Sequence, residues 1–233
     1  MRTWEEIRED FPILKEKIHG KDLIYLDNAA TTQLPQQVLD CFVEHYTKYN
    51  ANVHRGIHYL SEQSTMHMEA VRDRLKAFLH AEAQGEIIFT SGATDSANLV
   101  AQSFLRHALQ PGDVVLSTEL EHHANFVVWQ QVCGADFRMI PTVDGELDMN
   151  AAHKMLSDKV KLLAVTAVSN VTGTMVDIET LIAWAKEYEI PVYIDAAQAV
   201  RHRTFDLAGL QCDFLGFSAH KMMGPTGVGC LFV

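Results

Sequence analysis

Short apolar runs of four or five residues alternate along this sequence with longer stretches of helical period, and that alternation leaves few folds open. The runs fall at 86–90, 114–117, 137–140, 162–166, 192–195, 214–218 and 228–232. Their length and their Val, Ile, Leu and Phe content predict strands. Between them, Ala97, Val100, Ala101, Phe104, Leu105 and Ala108 recur at offsets of 0, 3, 4, 7, 8 and 11, one face of a helix. Ile178, Leu181, Ile182, Ala185 and Tyr188 repeat the pattern before Pro191. The alternation predicts an α/β fold, a three-layer α/β/α domain with a mainly parallel seven-stranded sheet. Too few residues join the last two strands for a helical crossover, which predicts an antiparallel pair there.

The chain divides at about residue 80. Residues 81–233 carry all seven strands, whereas residues 1–80 read as an N-terminal helical arm. Pro35 begins one helix of that arm, with Val38, Leu39, Phe42, Val43 and Tyr46 along it, and a second covers 62–79. Thirty acids against 19 bases give a formal charge of −11, with no run of Lys or Arg. Such a surface repels phosphate backbones, so no nucleic-acid partner is expected. No apolar run approaches the roughly 20 residues of a spanning helix, and residues 1–10 are charged rather than leader-like. A soluble, cytoplasmic protein without a membrane partner is expected. Cys41, Cys133, Cys212 and Cys230 form no short-spaced pair and have apolar neighbours, which predicts buried, reduced thiols.

In open α/β sheets ligands bind beyond the carboxyl ends of the strands, and three polar clusters follow strands here. Residues 90–94, TSGAT, open a helix. Small residues, free first-turn N–H groups and the Thr94 hydroxyl suit an anion, although a capped helix with a tight turn reads the same way. Asp195 ends an apolar strand, where a carboxylate needs a positive partner unless it caps the next helix. Gln198 follows three residues later. Lys221 lies between an apolar strand and the glycine-rich 224–229 segment. Burial there would lower its pKa and make the amine nucleophilic toward an aldehyde, unless its head snorkels to water. Glu121, His122 and His123 follow the strand at 114–117. His122 is read as a ring stacked on a flat heteroaromatic. His54 and His58 have four-residue spacing but no third ligand in view, so no metal site is expected. The glycines at 224, 227 and 229 precede a strand rather than a helix. They are read as a tight turn permitting close backbone approach, not a nucleotide fingerprint.

Seven segments together resemble the class V aminotransferase family of fold-type I pyridoxal 5′-phosphate (PLP) enzymes, and within it the Suf-type (group II) cysteine desulfurases. They are 25–30 (YLDNAA), 52–58 (NVHRGIH), 91–95 (SGATD), 121–125 (EHHAN), 169–173 (SNVTG), 195–198 (DAAQ) and 217–221 (FSAHK) with 224–229 (GPTGVG). The resemblance implies that Lys221 holds PLP as a Schiff base and handles the Cα proton. It implies that Asp195 faces the pyridine nitrogen, that Gln198 reaches the phenolic oxygen, and that His122 stacks on the ring and moves protons. Thr94, the Ala93 amide, Ser218 and His220 would bind the phosphate. Asn170 would lie by cofactor and substrate, with Ala29 and His54 on the substrate side.

The implied function is removal of sulfur from L-cysteine, giving L-alanine and a protein persulfide for iron–sulfur cluster assembly. A homodimer and a sulfur-acceptor protein are the implied partners. The sequence departs from the family pattern at Met223, where an aromatic is usual, at residues 91–95, often RGTTE, and at Val128, usually Pro. The family also continues past the strand at 228–232 into a small domain with the nucleophilic cysteine and the arginine that clamps the substrate carboxylate. The chain is therefore expected to be the cofactor-binding large domain without its C-terminal small domain, and inactive by itself. Another class V reaction (selenocysteine lyase, kynureninase-like or aminotransferase) and a non-catalytic PLP-binding or dimerisation fragment are the alternative readings.

Overall fold

The computed structural model describes residues 2–81, 83–133 and 136–233, with the side chain of Cys133 outside them. Seven strands form one sheet: β1 (Ile87–Thr90), β2 (Val114–Thr118), β3 (Phe137–Ile140), β4 (Val160–Thr166), β5 (Val192–Asp195), β6 (Phe214–Ser218) and β7 (Gly229–Phe232). Their order is β1-β7-β6-β5-β4-β2-β3. β3, β2, β4, β5 and β6 pair in parallel, and β7 is antiparallel to both β6 and β1. The expected mainly parallel sheet and its reversed last strand are both present.

Alternation along each strand feeds two cores. Leu116, Leu163, Val165, Val192 and Ile194 pack on one side, and Val115, Leu162, Ala164 and Tyr193 on the other. Burial on both faces is why these strands read as continuous apolar runs. The first core is covered by α6 (Met149–Met155), α7 (Ile178–Glu187) and α8 (Leu207–Leu210). The second is covered by α4 (Ala93–Val100) and α5 (Val127–Cys133). Asp177 caps α7 by accepting the Thr180 N–H at 3.1 Å, and Ile178, Leu181, Ile182 and Ala185 form the buried face.

Two expectations need correction. The face predicted through residue 108 does not stay buried. After Val100 the helix passes through a π turn, Ala101–Leu105, which rotates the residues beyond it. Leu105 is buried, whereas Phe104 lies at the edge against Phe214 and Ala108 is exposed. Cys41 is also exposed, because the helix that carries it, α2 (Gln36–Glu44), leaves Phe42 and Val43 exposed as well. Cys212 and Cys230 are buried as expected, and burial pushes both thiols up to about 12. In the arm, His58 is a helix cap: its Nδ1 accepts the Ser61 N–H at the start of α3 (Tyr59–Phe78). α1 (Trp4–Arg8) completes the arm, opened by a capping box between Thr3 and Glu6. Among the described residues no helix is long and apolar enough to cross a membrane.

Candidate active site

The carboxyl ends of β1, β2, β4, β5 and β6 surround a cleft of about 500 Å³. That size suits a small organic ligand. Asp195, the last residue of β5, is 6% exposed. Its Oδ1 accepts the Ala197 N–H at 2.8 Å, the one hydrogen bond to this carboxylate among the described residues. Burial pushes its pKa up, opposed by that N–H and by the positive charge of Lys221 and His122. A buried carboxylate so placed gains from a cation brought into the cleft.

Lys221 ends the 3₁₀ turn Ala219–Lys221 that follows β6. Burial pushes its pKa down, against the pull of Asp195. His122 lies across from both, at the N-cap of the turn His123–Asn125. Its Nδ1 accepts the Ala124 N–H at 3.2 Å, which leaves Nε2 to carry the proton of the neutral ring. Burial, then the charge on Lys221, lowers the His122 pKa, so the neutral ring is favoured.

Hydrogen-bond donors gather at another part of the cleft. Thr94 sits in the first turn of α4, beside Ser218 and His220. The Ala93 N–H, expected to face a phosphate directly, donates to Ser218 Oγ at 2.7 Å. That bond occupies an oxygen lone pair and leaves the Ser218 O–H free to donate. Close passage of β7 makes this corner possible. A Cβ on Gly229 would lie 2.4 Å from Gly92 Cα, and Gly227 takes φ +77° in the preceding turn. The expected tight approach of the glycine-rich segment is thus present.

Asn170, Ala29 and Gln198 line the cleft. Gln198 Nε2 donates to the Ala29 carbonyl at 2.7 Å. His54 does not line it. Its ring lies 3.4 Å from Glu69 on α3, and its N–H donates to Thr65 Oγ1 at 2.9 Å. Sequence reasoning missed the latch between arm and sheet. The Thr32 N–H and both the Thr31 and Thr32 hydroxyls donate to the His220 carbonyl, while Met223 N–H donates to Thr32 Oγ1. A pair of threonines after two alanines is a weak signal, and only the fold shows its partner. Glu121, to which the sequence assigns no role, acts as a brace. It accepts from the Thr118 hydroxyl (2.7 Å), the Thr166 N–H (2.8 Å) and Asn125 Nδ2 (2.6 Å), binding the His122 turn to β2 and β4.

These side chains fit PLP. The buried Asp195 carboxylate suits a protonated ring nitrogen, the Lys221 amine an aldehyde, and the Thr94, Ser218 and His220 corner a phosphate. No cysteine with a described side chain lines the cleft.

Comparison with known proteins agrees with this geometry. A family model described as aminotransferase class-V matches residues 24–233. A Yersinia pestis (strain Pestoides F) protein named cysteine desulfurase is 47% identical, over 98% of this chain and 57% of its own length. A Serratia proteamaculans (strain 568) protein of the same name matches equally. Among solved structures, the apo cysteine desulfurase of Thermococcus onnurineus NA1 superposes with a TM-score of 0.91 at 38% identity, covering 100% of this chain and 57% of that one. The Escherichia coli cysteine desulfurase CsdA gives 0.86 at 33%, covering 100% and 58%. The chain spans somewhat over half the length of these relatives.

Proposed function

Because the chain belongs to the aminotransferase class-V family, we propose that it is the PLP-holding large domain of a cysteine desulfurase. That enzyme converts L-cysteine to L-alanine and leaves the sulfur on a thiol as a persulfide. The observation that carries the reading is the meeting of Lys221, Asp195 and His122, from three strand ends, in one cleft with an anion corner. Relatives bearing that enzyme's name, 47% identical across this chain, support the substrate. A cytoplasmic homodimer that passes sulfur to an acceptor protein for iron–sulfur cluster assembly completes the proposal.

Bound PLP supplies an electron sink for the bonds at the substrate Cα. The chain's own residues do the rest. Thr94, Ser218 and His220 would hold the phosphate end, and Asp195 would keep the ring nitrogen charged. Lys221 would hold the cofactor through its amine and would take and return the substrate Cα proton; burial, by lowering its pKa, favours the neutral base. His122, its Nδ1 held by the Ala124 N–H, would move a proton through Nε2. A thiolate attacks the substrate sulfur, forming the S–S bond as the Cβ–S bond breaks and leaves its electron pair on the carbon side; Cβ then takes a proton, giving alanine and a persulfide. Cys212 and Cys230 are buried and Cys41 does not line the cleft, so that thiol lies outside the described residues. Ala29 and Asn170 would face the amino acid, whereas His54 is held by Glu69 and Thr65 outside the cleft lining.

The test is to load the chain with PLP, reduce with borohydride and map the peptides. A pyridoxyl group on Lys221 is expected; label on another lysine, or none on a folded sample, defeats the proposal. In a second arm, full-length protein should form alanine from L-cysteine, while this chain alone forms no more than free PLP does.

A further inference from the structure

Arg201 lies outside the cleft lining, three residues past Gln198, yet its guanidinium bonds to the 28–30 loop, to Gln198 and to the Lys221 turn. Nη1 donates to the Asn28 carbonyl and, at 3.4 Å, to the Lys221 carbonyl. Nη2 donates to Gln198 Oε1 at 3.2 Å, and Nε donates to His202 Nε2 at 2.8 Å. Two backbone carbonyls and one amide oxygen thus converge on a single planar cation, whose fork of donors suits such a junction.

We propose that Arg201 is a positioning residue that sets the Gln198 amide and ties the Lys221 turn to the 28–30 loop. The inference rests on the reading of the cleft as a PLP site. A glutamine amide can face either way, but guanidinium only donates, so Oε1 turns toward Arg201. Nε2 is then directed to the Ala29 carbonyl at the cleft wall. Arg201 also has an electrostatic consequence. The Lys221 pKa is lowered first by burial; Asp195 opposes this, and the positive Arg201 adds to it. His122 and His220 also feel the Lys221 charge. Arg201 thereby favours the neutral amine while fixing the turn that carries it.

The first readout needs no cofactor. Competitive acetylation of the PLP-free chain with acetic anhydride, followed by peptide mapping, gives the pH at which Lys221 is half reactive. Arg201→Gln should move that pH upward, and Arg201→Lys, which keeps the charge, should leave it near the parent value. No shift in Arg201→Gln, or equal shifts in both, overturns the proposal. The second readout is PLP capture by Arg201→Lys, Gln198→Ala and the double variant. Losses smaller together than their sum are expected, because both act on one amide; full additivity overturns the proposal even if Arg201→Gln does not fold. Failure to capture PLP on Lys221 in the parent chain would count against the cofactor reading and leave the acetylation result standing.

Discussion

Two carboxyl groups lie under the cleft, and their neighbours give them different duties. Asp195 has one hydrogen-bond donor and an open face toward Lys221 and His122, so its charge is available to a bound cation. Glu121 is closed in by three donors and braces the His122 turn. Burial nevertheless pushes its carboxyl from the ordinary 4.5 up to about 8, with the hydrogen bonds opposing and the nearby Asp195 adding. The folded state therefore keeps a proton that the unfolded chain releases above pH 4.5. Stability from this group is full below that pH and is lost as pH rises through about 8, at about 1.4 kcal/mol per pH unit. Glu121→Gln stays neutral and should flatten the slope across that window. Urea midpoints measured from pH 5 to about 9 read the slope directly; parallel profiles for the two proteins would contradict the assignment. The slope is the readout because Gln offers Asn125 one acceptor fewer and will shift the absolute stability.

Among the elements, β7 has the tightest constraint. It runs between β6 and β1 and brings Gly229 against the turn that starts α4. A methyl group on Gly229 would meet Gly92 Cα at 2.4 Å and its C and N at 2.7 Å, all backbone atoms that cannot rotate aside. Gly229→Ala should cost about 1–3 kcal/mol by overpacking and weaken PLP capture by shifting Ala93 from Ser218. A parental urea midpoint in the variant would show that the turn yields freely. The central strands were legible in the sequence because burial on both faces leaves an unbroken apolar run, and the half-covered edge strands β1 and β3 from their short length and apolar content. The strand-end clusters were legible because chemistry in such sheets collects there. The π turn after Val100 was not, since a 3.6-residue period cannot register one inserted residue. Exposure of Cys41 escaped as well, because apolar neighbours in sequence do not cover a helix that packs on little else. Arg201 escaped because an arginine in a polar turn reads as solvated until four acceptors are seen to converge on it.

At the scale of the whole molecule, the sheet is well covered and the arm is not. Ile24 is 78% exposed, Leu26 87%, Val171 84%, and Ile57 fully exposed. Phe42, Val43 and Tyr46 leave an apolar stripe on α2 and the turn after it uncovered. Leu26 and Val171 each neighbour a residue lining the cleft, Asp27 and Asn170, so part of this surface rims the site. Apolar area of this kind favours association. The formal charge of −11 opposes it through long-range repulsion, which salt screens over about 10 Å at 0.1 M. Self-association should therefore strengthen with salt, contrary to what contacts between opposite charges would show. Sedimentation velocity across a concentration series in low and high salt measures this. Leu26→Glu with Ile57→Glu should shift the equilibrium toward monomer at least tenfold, since losing two buried aliphatic contacts is worth about 1.5–3 kcal/mol each. A chain that stays monomeric at every concentration in both salts would mean that the exposed arm folds back on itself rather than seeking a second surface.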